Sequence, residues 1–410
     1  MATDLQIPLA AARTIHDDLV AVRRRLHRRP EIGLQLPWTQ NLVVEELERL
    51  GLEVRRGQAV TSVTATIDGG RPGPTILLRA DMDALPVHEA TGLAFASEVD
   101  GAMHACGHDT HMAMLIGAAR LLVERRAEIP GRVLLMFQPG EEGLGGARVM
   151  LHEGLLDVPA EAGYGPVTGA FAIHTMNRYA GGTVRIRGGA QLASSDTIRI
   201  TVRGRGGHAS APHLALDPIV VAAEIVTALQ TAVTRRVNVF DPAVVTIAQV
   251  IAGTTSNIVP ETAFLHGTMR AVSESTRDQV KGLVRQVAEG IATAHGATAE
   301  VGIEPGYPVT VNDAAFAQFV REVASDVVGA ENVPSLDAPV MGAEDFSYVL
   351  ERVPGAMAFL GGLLPGERPG VAPDNHSDKV VFDEDVMPIG VALHVAVALR
   401  HLEAGAATTG

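Results

Sequence analysis

Histidine, aspartate, glutamate and the single cysteine of this 410-residue chain crowd into a few short runs. They are Arg79–Pro86 (RADMDALP), Met103–Met112 (MHACGHDTHM), Phe137–Gly143 (FQPGEEG), Ala172–Asn177 (AIHTMN), Gly204–Ser210 (GRGGHAS), Met341–Ser347 (MGAEDFS) and Asp374–Lys379 (DNHSDK). Cys106 and His108 offer a thiolate and an imidazole that reach one metal ion if the backbone between them is extended. Taken alone, the pair reads first as a buried thiol beside a hydrogen-bonded histidine. His104, Asp109 and His111 shift that balance, because so many polar groups are costly to bury unless they bind a metal or one another.

Glu141 and Glu142 follow an apolar strand and the turn Gln138-Pro139-Gly140. Two adjacent carboxylates in a cleft repel unless a cation lies between them, so one suits a ligand and the other a base. On an open surface the same pair is merely solvated. His174 ends the apolar run Val167–Ile173, and His376 sits in a polar loop; a lone histidine at such places is more often structural than a ligand. Asp81 and Asp83 close another strand, where they form a local turn or orient a ligand imidazole. Spacing alone reaches a metal-dependent hydrolase. There is no H-E-x-x-H, P-loop or G-x-S-x-G run, and the glycines of GRGGHAS do not match a dinucleotide fingerprint.

The elements that must carry these residues alternate. Helices are expected over Thr14–Arg28, with a basic outer face, over Thr39–Leu50 and over His111–Arg126. Strands are expected over Ser62–Ile67, Thr75–Arg79 and Arg132–Phe137. That alternation argues for an α/β layered domain. From about Ala193 the pattern becomes strand Asp196–Arg203, helix Asp217–Val233, strands Ala243–Ile251 and Thr262–Ala271, helix Ser275–His295 and strand Thr298–Glu304. This β-α-β-β-α-β order is the ferredoxin-like unit. The expected organisation is a discontinuous metal-binding catalytic domain, residues 1–192 and 309–410, interrupted by a smaller inserted domain at 193–308.

Composition narrows the function. The net charge of −14 makes nucleic-acid binding a poor reading, since that needs clustered Lys and Arg. One cysteine excludes an intrachain disulfide and fits a reducing cytoplasm. The apolar runs, such as Pro218–Leu229, read as too short or interrupted for a membrane span. The N-terminal stretch has acids early and no basic-then-apolar order, so no signal peptide is expected. The tail from Ala404 is expected to fray.

In their order along the chain, MHACGHDTHM, PGEEG, GRGGHAS, TSNIVPE, GAEDFS and NHSD resemble the M20 metallopeptidase family, from about Asp17 to Leu402. The nearest likeness is to its amidohydrolase branch, with hippurate hydrolases, aminoacylases and auxin-conjugate hydrolases. The resemblance implies a catalytic domain with a mixed central sheet flanked by helices, plus a ferredoxin-like α+β lid that also dimerises. It implies two divalent ions per subunit, Zn²⁺, Mn²⁺, Co²⁺ or Ni²⁺. Cys106 would bridge them, and His108, Glu142, His174 and His376 would complete the ligands. Asp83 would orient His108 from behind. Glu141 would be the general base and acid, activating a bridging hydroxide. His208 would stabilise the oxyanion across a homodimer, or within a tetramer, and Asn257 and Arg270 would hold the substrate carboxylate. The run departs at Asn177, where relatives commonly carry proline. The implied reaction is hydrolysis of small N-acyl amino acids, with peptide cleavage or a non-catalytic metal-binding role as alternatives; no nucleic-acid or membrane partner is implied.

Overall fold

The computed structural model describes residues 9–158 and 163–408, which form two compact units. The N-terminal stretch read for a signal peptide lies partly outside the described residues. The first unit is Met1–Gly189, Val311–Asp337 and Tyr348–Gly410; the second is Ala190–Thr310 and Ala338–Ser347. The segment Ala338–Ser347, which carries GAEDFS, therefore belongs with the second unit, whereas the sequence reading put it with the catalytic one.

The first unit is built on a mixed seven-stranded sheet. Its order is Val54–Arg56, Val63–Asp68, Pro130–Gln138, Arg71–Asp81, Tyr164–Ala180, Gly355–Leu363 and Val184–Arg185. The four strands from Pro130–Gln138 to Gly355–Leu363 are parallel, and the outer pairings are antiparallel. Pro130–Gln138 and Gly355–Leu363 are buried along their whole length, the mark of strands covered on both faces. Helices His108–Glu124 and Met387–Thr408 pack on each other and on Arg71–Asp81. The chain leaves Arg71–Asp81 toward Pro130–Gln138 on one side and reaches Tyr164–Ala180 on the other. That reversal opens a crevice at the carboxyl ends of the strands, where ligands bind in open α/β sheets.

Several local expectations shift. The first long helix is His16–Arg28, and its Arg23 is fully buried rather than part of a basic outer face. The apolar run ending at His174 continues as strand to Ala180, so His174 sits inside a strand. The tail is helical to Thr408 instead of fraying from Ala404. Among the described residues two helices, Pro218–Arg236 and Glu384–Ala406, are long and apolar enough to cross a membrane by length and composition alone, so the helix from Pro218 runs further than the short apolar run read in the sequence. The second is mostly buried in the first unit. The first helix lays Val221, Ala222, Ile225 and Leu229 into the core of the second unit.

The second unit holds a four-stranded antiparallel sheet ordered Ala243–Ala252, Thr262–Ala271, Asp196–Arg203 and Thr298–Pro305. With helices Pro218–Arg236 and Glu274–Ala294 this is the ferredoxin-like arrangement. Asp196–Arg203 buries Ile198, Ile200 and Val202 on alternate positions, each side chain stabilising the unit by about 1.5–3 kcal/mol. Caps start both helices: Asp217 accepts from the Ile219 N–H ahead of Pro218, and Ser273 from the Thr276 N–H.

Candidate metal centre

Four segments bring the donor groups of the first unit to the carboxyl edge of its sheet. Cys106 and His108 flank Gly107, whose φ of 83° starts helix His108–Glu124 in a left-handed turn. A side chain at Gly107 would be strained there and would lie 3.2 Å from Phe382. Glu141 and Glu142 follow strand Pro130–Gln138, His174 lies in Tyr164–Ala180, and His376 comes from the loop beyond Gly355–Leu363.

The donor atoms meet in overlapping groups. Cys106, His108 and His174 have their ligand atoms within 4.8 Å of one another, as do Cys106, Glu142 and His376, and His108, Glu141 and Glu142. Cys106 Sγ is 3.4 Å from His174 Nε2, and His376 Nε2 is 3.4 Å from Glu142 Oε1. His174 Nδ1 donates to its neighbour's carbonyl, Thr175 O, at 3.0 Å, and His108 Nδ1 donates to Asp83 O at 2.8 Å. Each bond places a proton on Nδ1, so Nε2 is the nitrogen that can bind a metal once it carries no proton. His108 Nε2 and Glu142 Oε1 are buried without a hydrogen-bond partner. Ionisable neighbours stand off, Asp81 Oδ2 at 3.4 Å from His108 Nε2 and His376 Nε2 at 3.4 Å from Glu142 Oε1, and a cation would satisfy both atoms.

Electrostatics agree. Burial drives His174 well below its ordinary range, so it is a neutral donor. Burial pushes the Cys106 thiol up, with Glu142 adding to the rise. Cys106 and then Glu142 raise His376 to about 10. Burial opposes a charge on His108, but Asp81 and Cys106 outweigh it and hold the ring well above its usual value. The cluster thus attracts positive charge and binds protons where none is otherwise supplied; a divalent ion would displace them. Thiolate, imidazole and carboxylate donors in this set fit such an ion.

Asp83 faces His108 Nδ1 with its carboxylate as well as its carbonyl, Oδ1 lying 3.6 Å away. It orients His108 with its backbone carbonyl, while its carboxylate accepts the N–H groups of Glu141 at 3.0 Å and Glu142 at 3.1 Å. A supporting network was largely unread in the sequence. Arg79 Nη1 and His111 Nδ1 each donate to Asp81 at 2.6 Å, and His111 Nε2 accepts the Thr175 N–H at 2.8 Å. Burial opposes ionisation of Asp81, but Arg79 and the two histidines hold it well below the carboxylate range. Asp109 is bonded by Arg23 at 2.7 Å and His27 at 2.8 Å. His104 stays outside the donor groups, neutral through burial that lowers it to about 3. The i, i+3 placement of His108 and His111 on one helix was the available signal for the network.

Of the residues expected to hold substrate, His208 and Asn257 are neighbours in the second unit, since His208 pairs with Ile258. His208 Nδ1 accepts from Ser210 N at 3.1 Å and Ser210 Oγ at 2.8 Å, so its proton sits on Nε2. Arg270 is half-buried on strand Thr262–Ala271.

Residues 77–400 match the profile of the peptidase family M20/M25/M40. The chain belongs to the M20 family. It is 40% identical over 94% of its length to thermostable carboxypeptidase 2 of Saccharolobus solfataricus, covering 96% of that protein. It is also 40% identical over 86% of its length to the N-acetylcysteine deacetylase of Bacillus subtilis, covering 90% of it. Among solved structures it is similar to Bacillus subtilis YXEP, a dinuclear metal-binding peptidase from the M20 family. The identity is 35%, the TM-score 0.80 and the coverage 95% of this chain and 99% of that one. M20 membership and the donor groups together support a metal-dependent hydrolase of the amidohydrolase branch.

Proposed function

We propose that the chain hydrolyses N-acyl amino acids to a carboxylic acid and a free amino acid. The observation that carries the reading is the double membership of Cys106, whose sulfur belongs to the group with His108 and His174 and to the group with Glu142 and His376. A shared thiolate suits two neighbouring divalent ions, with Zn²⁺, Mn²⁺, Co²⁺ and Ni²⁺ all admitted by the donor set. When bound, such ions polarise a carbonyl and lower the pKa of water.

The protein's own residues then position groups and move a proton. His108 and His174, each held through Nδ1 by a backbone carbonyl, would present Nε2 to the ions. Glu141, buried beside Glu142 and fixed through its backbone by Asp83, takes a proton from the attacking water on its carboxylate and returns it to the leaving nitrogen. We assign His208, with its proton on Nε2, to the developing oxyanion, and Asn257 and Arg270 to the substrate carboxylate. The second unit is assigned the lid and dimerisation role that M20 membership implies. A homodimer, or a tetramer built from it, is supported by the edge strand Ala243–Ala252, which exposes Val244, Val250 and Ile251. A cytoplasmic location suits a cysteine that must stay reduced to bind metal.

Cleavage of peptides is the second reading, favoured by the identity to the Saccharolobus carboxypeptidase. Assay of purified protein with each metal separately, on N-acyl amino acids and dipeptides side by side, separates the two. The proposal expects the higher kcat/KM on N-acyl amino acids; a higher value on dipeptides would replace it with the second reading.

A further inference from the structure

Among the described residues, His376 is the one non-glycine with positive φ, at 72°. A left-handed backbone is unfavourable for a residue with a Cβ and persists only where its surroundings enforce it. Packing does not enforce it, because the His376 side chain is 55% exposed. The preceding residue does. Asn375 Oδ1 accepts the Asn177 N–H at 2.9 Å, and Asn375 Nδ2 donates to Thr175 O at 2.9 Å and to Cys106 O at 3.3 Å. The opposite amide orientation would set N–H against N–H and oxygen against two carbonyls, so these partners dictate the one seen. His376 N donates to Ala105 O at 2.8 Å. From the other side, Asn177 Nδ2 donates to Pro373 O at 2.6 Å, and Arg178 pairs with Asp374 at 2.7 Å. One amide therefore ties together the segments that carry Cys106, His174 and His376.

We propose that Asn375 is a positioning residue that sets the Glu142–His376 side of the centre against the Cys106–His108–His174 side. Asn177 is its anchor, through a backbone N–H that a proline at that position would lack. The inference rests on the metal-centre reading above. Asn375 is not among the donor groups: its Oδ1 accepts a backbone N–H, and its Nδ2 donates to two backbone carbonyls and, at 4.0 Å, to Cys106 Sγ. Its loss therefore displaces His376 without removing a donor, and weakens one of the two ions.

The test is calorimetric titration of Mn²⁺ into chelator-stripped wild type, Asn375→Asp, Asn375→Ala and His376→Ala, with metal content after dialysis as a second readout. The aspartate is isosteric, keeps the acceptor for Asn177 N–H and loses the donations to Thr175 O, Cys106 O and Cys106 Sγ, so it serves even if the alanine variant folds poorly. Wild type is expected to take two ions. Both Asn375 variants should take the first ion as wild type does and the second ~10–100-fold more weakly. Excess Mn²⁺ should restore turnover to the Asn375 variants but not to His376→Ala. Wild-type affinity for both ions in the Asn375 variants, or equal weakening of the two, would overturn the positioning role while leaving the metal centre standing. Failure of wild type itself to bind two ions would instead overturn the metal-centre reading, and this inference with it.

Discussion

The carboxylate of Asp83 accepts the backbone N–H of Glu141 at 3.0 Å. The aspartate thus governs where the proposed base stands without touching its side chain, and its second oxygen does the same for Glu142 at 3.1 Å. Asp83→Ala leaves both N–H groups without that acceptor, at ~1–3 kcal/mol for each buried donor. The variant should unfold at a lower denaturant concentration and lose turnover although Glu141 is intact. Asp83→Asn keeps one acceptor and should fall between the two. Wild-type turnover in Asp83→Ala would show that the loop is held by other means.

Glu141→Gln keeps the size and the backbone bond of Glu141 but cannot take a proton. Metal content should remain near wild type, and kcat should fall by at least ~10². Unchanged kcat with full metal loading would remove Glu141 from the mechanism.

Cys106 is buried, and burial, then the charge of Glu142, raise its pKa. Alkylation should therefore be slow in the metal-loaded protein and should accelerate when a chelator strips the ions, because the sulfur loses its metal bond. Equal labelling with and without chelator, followed by mass spectrometry, would contradict a metal-bound thiolate.

Glu89 gives a pH dependence away from the donor groups. Burial opposes its ionisation, but bonds from His27, Thr91 and the Ser97 N–H outweigh it and hold the group at about 2. Its folded pKa lies below the unfolded value, so its contribution is present above about pH 4.5 and is lost as pH falls toward 2. After allowance for solvent screening it is on the order of 1–2 kcal/mol. Glu89→Gln should be less stable at pH 7 and should show a correspondingly smaller loss between pH 7 and pH 3 in denaturant titrations. An unaltered acid dependence would place the stabilisation elsewhere.

Subunit mixing tests the assignment of His208. If it serves a neighbouring subunit's centre, Glu141→Ala and His208→Ala chains that exchange at random should recover about a quarter of wild-type activity, since about half the dimers are mixed and each holds one intact site. Exchange would be followed with a mass-tagged chain. No recovery, with exchange verified, would confine His208 to its own subunit.

Much of the architecture was legible because it is periodic. Asp196–Arg203 alternates buried and exposed positions and was read with its observed bounds, and the helix expected at Ser275–His295 is Glu274–Ala294. The donor residues were legible because His, Cys and Glu in short runs are chemically conspicuous. Arg23 was misread because a basic helix face looks solvated until Asp109 and Glu384 are seen against it. Asn375 stood within the conspicuous NHSD run, but its role did not show, since its partners Thr175 and Asn177 lie about half the chain away and amides fit any polar loop. The double use of Asp83, carbonyl to one segment and carboxylate to another, has no sequence counterpart.

The bond from Asn375 to Thr175 spans 200 residues. At ~5–20 residues per second, a ribosome needs ~10–40 s to travel that far. For that interval the nascent chain already contains Cys106, His108, Glu142 and His174, while the loop that completes the centre and strand Gly355–Leu363 beside Tyr164–Ala180 have yet to be made. A centre completed by His376 would therefore take its metal only after that loop is made, and a nonsense codon between Cys106 and His376 yields a chain with the thiol but without the last donor.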